Sequence, residues 1–262
     1  MGTIASMPDV VATAVVLGGG EGDALAGSAG VPAKAMVPFR GLPLGSYVLE
    51  ALAQSDSVER IVYVGPTDTS LEVCDFESTA AGNRVAASLQ SGIRVAMQGS
   101  LPATRILVAT ADLPWLTPEA VDDFVQHAPD AHLTFPVVAR DVAKSAFPDQ
   151  RRTYVKLRDG VFTGGNLVLV KTAAVERLLP FIDRLYLARK NPLKLAGVIG
   201  LGILGKLLAG RLSIADVERR ASELLGGPAR VYISKHAGLA ADIDKPGHLA
   251  TTAPLPPLRQ PL

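Results

Sequence analysis

The sequence has 262 residues, enough for one large α/β domain or two small ones with a substantial hydrophobic core. Its 26 basic and 25 acidic residues give a net charge of +1, so no broad field favours nucleic acid, and any anion site must be local. The only cysteine, Cys74, excludes an internal disulfide and a cysteine-rich zinc site. The first residues lack the basic stretch of a secretory signal, so we expect a cytoplasmic protein.

Strand and helix patterns alternate along the chain. Apolar, β-branched runs predict strands at Thr13–Leu17, Arg60–Gly65, Ile106–Thr110, His132–Val138, Asn166–Val170 and Arg230–Ser234. Helical periodicity predicts helices at Gly45–Gln54, Val85–Met97 and Pro118–Gln126. Such alternation is typical of a largely parallel sheet covered by helices on both faces. Ligands of such sheets bind beyond the carboxyl ends of the strands, so the loops at those ends hold the candidate site.

The first predicted strand runs into a glycine-rich loop, Leu17 to Gly22. Glycines let the backbone turn sharply and bring its N–H groups against an anion, so the loop is either a phosphate-binding loop or a plain tight turn. No Gly-Lys-Ser/Thr closes it as in a P-loop, and no glycine stands three residues after Gly22 as in a dinucleotide-binding loop. Lys34, in the next loop, is either a mobile charge for phosphate oxygens or an exposed lysine.

Aspartates near two chain positions are the candidate metal ligands. Asp112 follows an apolar strand and precedes Leu113–Pro114, which places its carboxylate at the edge of the sheet. Asp242 and Asp244 are two residues apart in an extended segment, so both side chains point to one face. Carboxylate and phosphate oxygens suit Mg²⁺, so the sequence predicts a magnesium site where these residues meet. Taken singly, each aspartate is more typical of a cap or a turn.

Several motifs occur together in an order and spacing that resemble a known family: LGGGEGD…VPAKAMVPFRGLPL, GNRVAASLQSG, TADLP, FTGGNLVLV and DIDKPGHL. Over roughly residues 12–250 they resemble the GT-A-type nucleotidyltransferases, particularly the MobA-like NTP transferases. The resemblance implies an α/β fold of three layers (α/β/α), Rossmann-like and of the GT-A type, with a mixed, mainly parallel sheet. It also implies transfer of a nucleoside monophosphate from an NTP to an acceptor, usually a phosphate, with Mg²⁺ as cofactor and pyrophosphate as the released product. Molybdopterin is the acceptor that the family suggests.

The resemblance assigns roles to individual residues. Catalysis is assigned to Lys34 and Asp112. Metal binding is assigned to Asp112 with Asp242 or Asp244. Nucleotide binding is assigned to Leu17, Gly18, Gly19, Gly20, Gly22, Lys34, Asn83 and Ser88. Acceptor binding is assigned to Thr163, Gly164, Gly165 and Asn166; Lys156, just before this strand, is a further candidate for the acceptor phosphate or else an exposed hairpin charge.

The glycine loop departs from the family pattern. Members usually carry an arginine shortly after the last glycine, whereas this chain has Glu21 and Asp23. Two acids beside a triphosphate repel it unless they turn away or act through a metal. The candidates for the replacing cation are Arg40, Arg84, Arg151 and Arg152.

The chain is expected to form a single nucleotidyltransferase domain over residues 8–250, as a monomer or homodimer. A helical insertion is expected at about 181–227. The last residues, 251–262, are rich in proline and are expected to form a loose tail.

The insertion is unusually apolar in its middle. Its run Leu195–Gly210 is shorter than the ~20 residues that a membrane span needs, so no transmembrane segment is expected. Gly200, Gly202 and Gly205 form a G-x-G-x-x-G pattern, but too little chain follows for the rest of a dinucleotide-binding unit. Three interpretations of the insertion stay open: a helical hairpin packed on the sheet, a surface for a dimer or partner, and a cover for a hydrophobic acceptor with peripheral membrane contact.

The predicted function is Mg²⁺-dependent nucleotidyl transfer from an NTP to a small-molecule or lipid-phosphate acceptor. A GT-A glycosyltransferase that uses a sugar nucleotide is an alternative, but such an enzyme normally carries Asp-x-Asp at a central strand end, and here Asp-Ile-Asp occurs only at residues 242–244. A catalytically silent, nucleotide-binding regulatory module is the other alternative, which the missing loop arginine favours. Pyrophosphate release separates the enzyme from the silent module.

Overall fold

A computed structural model describes residues 11–19, 23–98, 103–188, 197–198 and 200–257, with the side chains of residues 183 and 185–188 excepted. The described strands are β1 (Ala12–Leu17), β2 (Pro38–Phe39), β3 (Leu42–Pro43), β4 (Val58–Val64), β5 (Glu77–Thr79), β6 (Arg105–Thr110), β7 (Leu133–Ala139), β8 (Val155–Leu157), β9 (Gly160–Gly164), β10 (Leu167–Lys171) and β11 (Ala229–Ser234). The described α-helices are α1 (Ala24–Ala29), α2 (Leu44–Ala53), α3 (Val85–Ala96), α4 (Pro118–His127), α5 (Arg140–Ala146), α6 (Val175–Ala188), α7 (Leu201–Leu208) and α8 (Ile214–Leu225).

The main sheet has nine strands in the order β5-β4-β1-β6-β10-β7-β9-β8, with β11 also paired to β7. β1 pairs in parallel with both β4 and β6. β10 runs antiparallel between β6 and β7, and β9 runs antiparallel between β7 and β8. The prediction of a mixed, mainly parallel sheet is therefore confirmed.

Helices cover both faces of the sheet. Successive side chains of a strand point to opposite faces, so each strand can contribute to a buried cluster on either side. On one face, Val16 of β1 belongs to a buried cluster with Leu49 of α2 and Phe124 of α4. On the other face, Val15 belongs to a cluster with Ile93 of α3 and Leu178 of α6, among others. These clusters make the three layers of the predicted α/β/α fold.

A third buried cluster is formed by segments that follow the strands. It includes Leu25 after β1, Trp115 after β6 and Ile243 near the end of the chain, packed with Phe39 and Tyr47. This cluster fixes the loops at the carboxyl ends of β1 and β6 relative to one another. The packing of this cluster therefore holds the loops that carry the residues of the candidate site.

The strands and helices predicted from the sequence all occur, with ends within two residues of the predicted ones. The predicted insertion contains the end of α6 and then α7 and α8. α8 packs on the sheet through Ala221 and Leu225, as the hairpin interpretation requires, whereas no residue of α7 is buried. The G-x-G-x-x-G glycines lie at the start of and within α7, with no described strand leading into them. Among the described residues, no helix combines the length and the apolarity needed to cross a bilayer.

The described part of the tail, to residue 257, packs against the protein. Ala253 and Leu255 pack against the third cluster. Arg40, at a positive φ of 48°, donates to the carbonyl oxygen of Ala253 at 2.7 Å and to that of Thr251. This part of the tail is therefore attached and not loose; the domain limits 8–250 and the insertion limits stay predictions.

Candidate functional site

Loops at the carboxyl ends of β1 and β6 meet at one place on the sheet. The N–H of Ala111, just after β6, donates to the carbonyl oxygen of Leu17 at 3.1 Å. The N–H of Ile243 donates to the carbonyl oxygen of Asp112 at 3.0 Å. Backbone hydrogen bonds thus join the end of β1, the end of β6 and the C-terminal segment, which share no proximity in sequence.

Lys34 and Asp112 lie at the centre of this junction. Lys34 Nζ donates to Asp112 Oδ2 at 2.6 Å and to Asp244 Oδ1 at 2.5 Å. Asp112 Oδ1 accepts from the hydroxyl of Thr110 at 2.6 Å, so both carboxylate oxygens have partners. The side chains of Lys34 and Asp112 are only 12% and 13% exposed, so this ion pair is largely shielded from water.

Charge and burial act in opposite directions on these groups. Burial alone lowers the pKa of Lys34, but Asp112 and Asp244 outweigh it and raise that pKa to about 12. The hydrogen bond from Lys34 lowers the pKa of Asp244. Lys34 is therefore a fixed positive charge, and Asp244 a fixed negative one, at neutral pH.

The side chain of Asp242 is less exposed than that of Asp244. Its Oδ1 accepts from Arg152 Nη1 at 2.6 Å, and its carbonyl oxygen accepts from Gln150 Nε2 at 2.8 Å. Burial raises the pKa of Asp242, and the neighbouring Arg152 opposes that rise. A partly buried carboxylate of this kind is stabilised in its charged form by a neighbouring cation, here Arg152.

The arrangement brings Asp112, Asp242 and Asp244 together as a candidate cation site. One carboxylate oxygen from each lies within 4.8 Å of the others. Ile243, between Asp242 and Asp244, is fully buried, so the flanking aspartates share the opposite side of the chain. The sequence prediction that these residues converge agrees with this geometry; their role as metal ligands stays a proposal.

The glycine turn lies directly against Lys34. The carbonyl oxygen of Gly18 accepts from the N–H of Ala35 at 3.1 Å, and Gly19 has a φ of +108°. A Cβ at Gly18 would lie 2.1 Å from the hydroxyl oxygen of Tyr63, and one at Gly19 would lie 3.3 Å from the backbone nitrogen of Lys34. Glycine is required at Gly18 by close approach and at Gly19 also by its left-handed backbone. Gly20 and Gly22 lie outside the described residues.

Asp23, one of the acids that depart from the family pattern, is used by helix α1. Its Oδ1 accepts from the N–H groups of Leu25 at 2.9 Å and Ala26 at 3.0 Å, so it is the N-cap. Its charge is directed at the helix terminus, which reduces the expected repulsion of a triphosphate. Glu21 lies outside the described residues.

The predicted acceptor residues lie on or next to the break between β9 and β10. The N–H of Gly165 donates to the carbonyl oxygen of Pro136 at 2.8 Å, and that of Asn166 to the carbonyl oxygen of Leu239 at 2.9 Å. The carbonyl oxygen of Asn166 also accepts from the N–H of Thr110 at 3.3 Å, which connects this break to Asp112. The buried Nδ2 of Asn166 has no hydrogen-bond partner among the described residues.

Other predicted residues are not joined to the acidic group. Ser88 Oγ accepts from the N–H of Gly82 at 3.0 Å and so closes the loop before α3, while Asn83 is exposed in that loop. Lys156 is exposed on β8, on the same face as Thr163 by strand register. No hydrogen bond or ion pair within the described part of the chain joins Asn83, Ser88 or Lys156 to the aspartates.

Of the candidate replacement cations, Arg152 alone reaches the acidic group within the described chain. Arg40 binds the tail, and Arg84 precedes α3. Arg151 is exposed. The sequence interpretation did not single out Thr110 or Gln150. Thr110 is the last residue of β6 and stands two residues before Asp112, a signal that was readable in the sequence. Gln150 lies in a loop and gave no such signal.

A mixed, mainly parallel sheet with a glycine turn, a lysine and converging aspartates at its carboxyl edge is the arrangement that the resemblance to the nucleotidyltransferases led us to expect. The sequence model of the MobA-like NTP transferase domain matches residues 14–197. The chain belongs to this family, as the motifs predicted, and the prediction of an enzyme of the nucleotidyltransferase class is confirmed. No relative is found among curated proteins.

Solved structures of other proteins have a similar fold. A hypothetical transferase from Thermus thermophilus is 37% identical, with a TM-score of 0.83, and the match covers 92% of this chain and 100% of that one. CMP:2-keto-3-deoxy-manno-octonic acid synthetase complexed with CTP is 13% identical (TM-score 0.53), covering 91% and 95% of the two chains. 2-C-methyl-D-erythritol 4-phosphate cytidylyltransferase, also from Thermus thermophilus, is 15% identical (TM-score 0.51), covering 92% and 96%. At these identities the latter pair shows a common fold alone.

Proposed function

We propose that this protein transfers a nucleoside monophosphate from an NTP to a phosphate-bearing acceptor and releases pyrophosphate, with Mg²⁺ as cofactor. The convergence of Lys34, Asp112, Asp242 and Asp244 beside the glycine turn carries the proposal. Family membership supports the reaction class. The similarity to a CTP-bound synthetase of like fold makes CTP one reasonable donor to test.

The donor set of the site fits magnesium. Mg²⁺ prefers oxygen ligands, and it is commonly held by one or two carboxylates together with phosphate oxygens and water. Asp112 is the best-fixed ligand because Thr110 holds one of its oxygens. Asp242 and Asp244 offer the further carboxylates. When bound, the ion would neutralise charge on the phosphate oxygens of the reacting nucleotide.

Lys34 and the glycine turn are proposed to hold the triphosphate. The backbone of Lys34 lies against Gly19, so a phosphate on the turn is close to the lysine side chain. Its ammonium is charged at neutral pH, since its pKa is about 12. The proposed nucleotide-binding residues are those that the resemblance indicated: Leu17, Gly18, Gly19, Gly20, Gly22, Lys34, Asn83 and Ser88.

The chemical step needs positioning and charge stabilisation from the protein. An acceptor oxygen forms a bond to the α-phosphorus, the bond from that phosphorus to the bridging oxygen breaks, and the electron pair leaves with pyrophosphate. Lys34 stabilises negative charge on the phosphates during the transfer. The break between β9 and β10 positions the acceptor, through the residues Thr163, Gly164, Gly165 and Asn166 with Lys156 nearby.

The exposed face of α7 supports a hydrophobic acceptor as a second candidate. Leu201 and Leu208 are 76% and 80% exposed. They are seven residues apart, so they lie on one helix face. A lipid phosphate would use such a surface, with the membrane touched only peripherally. The acceptor test should therefore include both a water-soluble and a lipid phosphate.

Pyrophosphate release tests the proposed function. Purified protein is given each NTP with Mg²⁺ and either a panel of soluble sugar phosphates with molybdopterin, or a polyprenyl phosphate in detergent. We expect release with one donor and one acceptor class. Binding of an NTP without release would favour the silent module. A parallel assay supplies a sugar nucleotide in place of the NTP, and transfer of the sugar there would favour the glycosyltransferase.

The variant Asp112→Asn identifies the site responsible. It should lower the rate of pyrophosphate release by about 10²–10³, because a developing charge loses one electrostatic partner. Asp141→Asn, an exposed carboxylate on α5, is the matched control and should leave the rate unchanged. Near wild-type turnover by the Asp112 variant would refute the assignment.

A further inference from the structure

Arg152 lies in the segment before β8 and extends to the acidic group. Its Nη1 donates to Asp242 Oδ1 at 2.6 Å, its Nε donates to Thr163 Oγ1 at 3.3 Å, and its Nη2 lies 3.5 Å from the carbonyl oxygen of Gly164. Only 11% of its side chain is exposed. The guanidinium therefore lies between a proposed metal ligand and the proposed acceptor strand.

Asp242 is shared between Arg152 and the proposed metal site. Its carboxylate lies within 4.8 Å of those of Asp112 and Asp244, measured between one ligand oxygen of each. Gln150 donates to the carbonyl oxygen of Asp242, which fixes the main chain of Asp242. A rotation of the Asp242 side chain is therefore enough for its carboxylate to change partner. A divalent cation among these carboxylates competes with Arg152 for Asp242.

Once Asp242 binds a cation, Arg152 loses the carboxylate that it pairs with. Within the described chain, Asp242 is the only carboxylate in ion-pair contact with Arg152. A nearly buried guanidinium without an anion is costly, because its charge has lost both water and its partner. The planar fork of N–H groups fits two oxygens of a phosphate, so an incoming anion of that kind would replace Asp242.

We propose that Arg152 binds the anionic group of the acceptor, and that Asp242 holds Arg152 in place until a divalent cation takes its carboxylate. Metal binding then favours acceptor binding, and by linkage the acceptor favours the metal equally. Thr163 and Gly164 fix the guanidinium on the acceptor strand. The inference rests on the proposed function and assigns the acceptor an anionic group, a phosphate first and a carboxylate by the same chemistry.

Asp242→Asn imitates the state in which Arg152 is released, and it needs no metal. Titration calorimetry with inorganic phosphate should show binding about fivefold tighter, or more, than wild type. The double variant Asp242→Asn with Arg152→Gln should lose this gain. The matched double variant Asp242→Asn with Arg158→Gln, an exposed arginine between β8 and β9, should keep it. Acetate is titrated in parallel. The anion whose affinity rises more in Asp242→Asn shows whether the site prefers a phosphate or a carboxylate.

No gain in Asp242→Asn, or a gain that survives Arg152→Gln, would overturn the inference. If the Asp242 variants do not fold, the same point is tested by Mg²⁺ titration of Arg152→Gln without nucleotide. That variant should bind Mg²⁺ about fivefold more tightly than wild type, since Asp242 is free, and equal or weaker binding would overturn the inference. Neither assay uses an NTP. If the variants do not behave as predicted but the wild type releases pyrophosphate, the inference about Arg152 fails and the proposed function stands.

Discussion

Lys34 is the residue on which the charges of the site balance. It binds Asp112 and Asp244 from a largely buried position, and these carboxylates keep its pKa at about 12 despite the desolvation. Removing one partner of such a group leaves an uncompensated charge, which costs more than the pair itself contributes. Lys34 therefore contributes to folding as well as to the proposed binding of phosphate.

Lys34→Met should change how stability depends on pH. The folded pKa of about 12 lies above the ordinary value of 10.5, so the stabilisation from the charged lysine is fully present below pH 10.5 and is lost as pH rises through 12. Urea unfolding at pH 9 should show the variant less stable than wild type. The difference should shrink steadily toward pH 12, and a difference that stays constant would mean that the pair does not act through this charge.

The position of Arg152 could not be read from the sequence. Arg40, Arg84, Arg151 and Arg152 were equal candidates for the missing cation, because an arginine in a loop carries no periodicity that fixes its direction. In contrast, Asp112 followed a clear strand, and strand ends of a parallel sheet share one edge. A residue placed directly after a strand was thus predictable, whereas the position of Arg152, inside a connecting segment, was not.

At the scale of elements, the turn after β1 depends on the absence of a side chain at Gly18. The buried ring of Tyr63 occupies the position that a Cβ at Gly18 would need. The sequence indicated a glycine turn but not this reason for it, since Tyr63 is distant in sequence. The turn also contacts the segment that carries Lys34, because the N–H of Ala35 donates to the carbonyl oxygen of Gly18.

Gly18→Ala should destabilise the protein by about 1–3 kcal/mol, because overpacking forces the Tyr63 ring or the turn to move. Gly27→Ala in helix α1 is the matched control: nothing lies within 4 Å of its new Cβ, and alanine favours the helix by roughly 0.5–1 kcal/mol. Chemical denaturation measures both. Equal stability of the two variants would show that Gly18 is not closely packed.

The direction of individual strands could not be predicted from the sequence. β10 was predicted as a strand, but its antiparallel direction between β6 and β7 was not. Period-two alternation reports which face a residue occupies and carries no information on direction. The break at Gly165 and Asn166 follows from that direction, because β9 and β10 pair successively with β7.

At the scale of the whole molecule, the order of strands creates the site. β1 lies between β4 and β6, and its loop and that of β6 open at one edge of the sheet. The C-terminal segment returns to this edge through the bond from Ile243 to Asp112. The fold class and this convergence were predictable from motif order, whereas the attached tail and the unburied α7 were not, since both depend on packing between distant segments.

A thermal-shift panel of ATP, CTP, GTP and UTP, with and without Mg²⁺, tests the proposed site most directly. A ligand that binds the native state stabilises it by about 2.7 kcal/mol at one hundred times its Kd, which for a chain of this size corresponds to roughly 5 °C or more in Tm. We predict that at least one NTP raises the Tm by this amount only with Mg²⁺, and that Asp112→Asn loses the rise. No Mg²⁺-dependent rise with any NTP, or an equal rise in Asp112→Asn, would contradict a triphosphate and metal site at these residues.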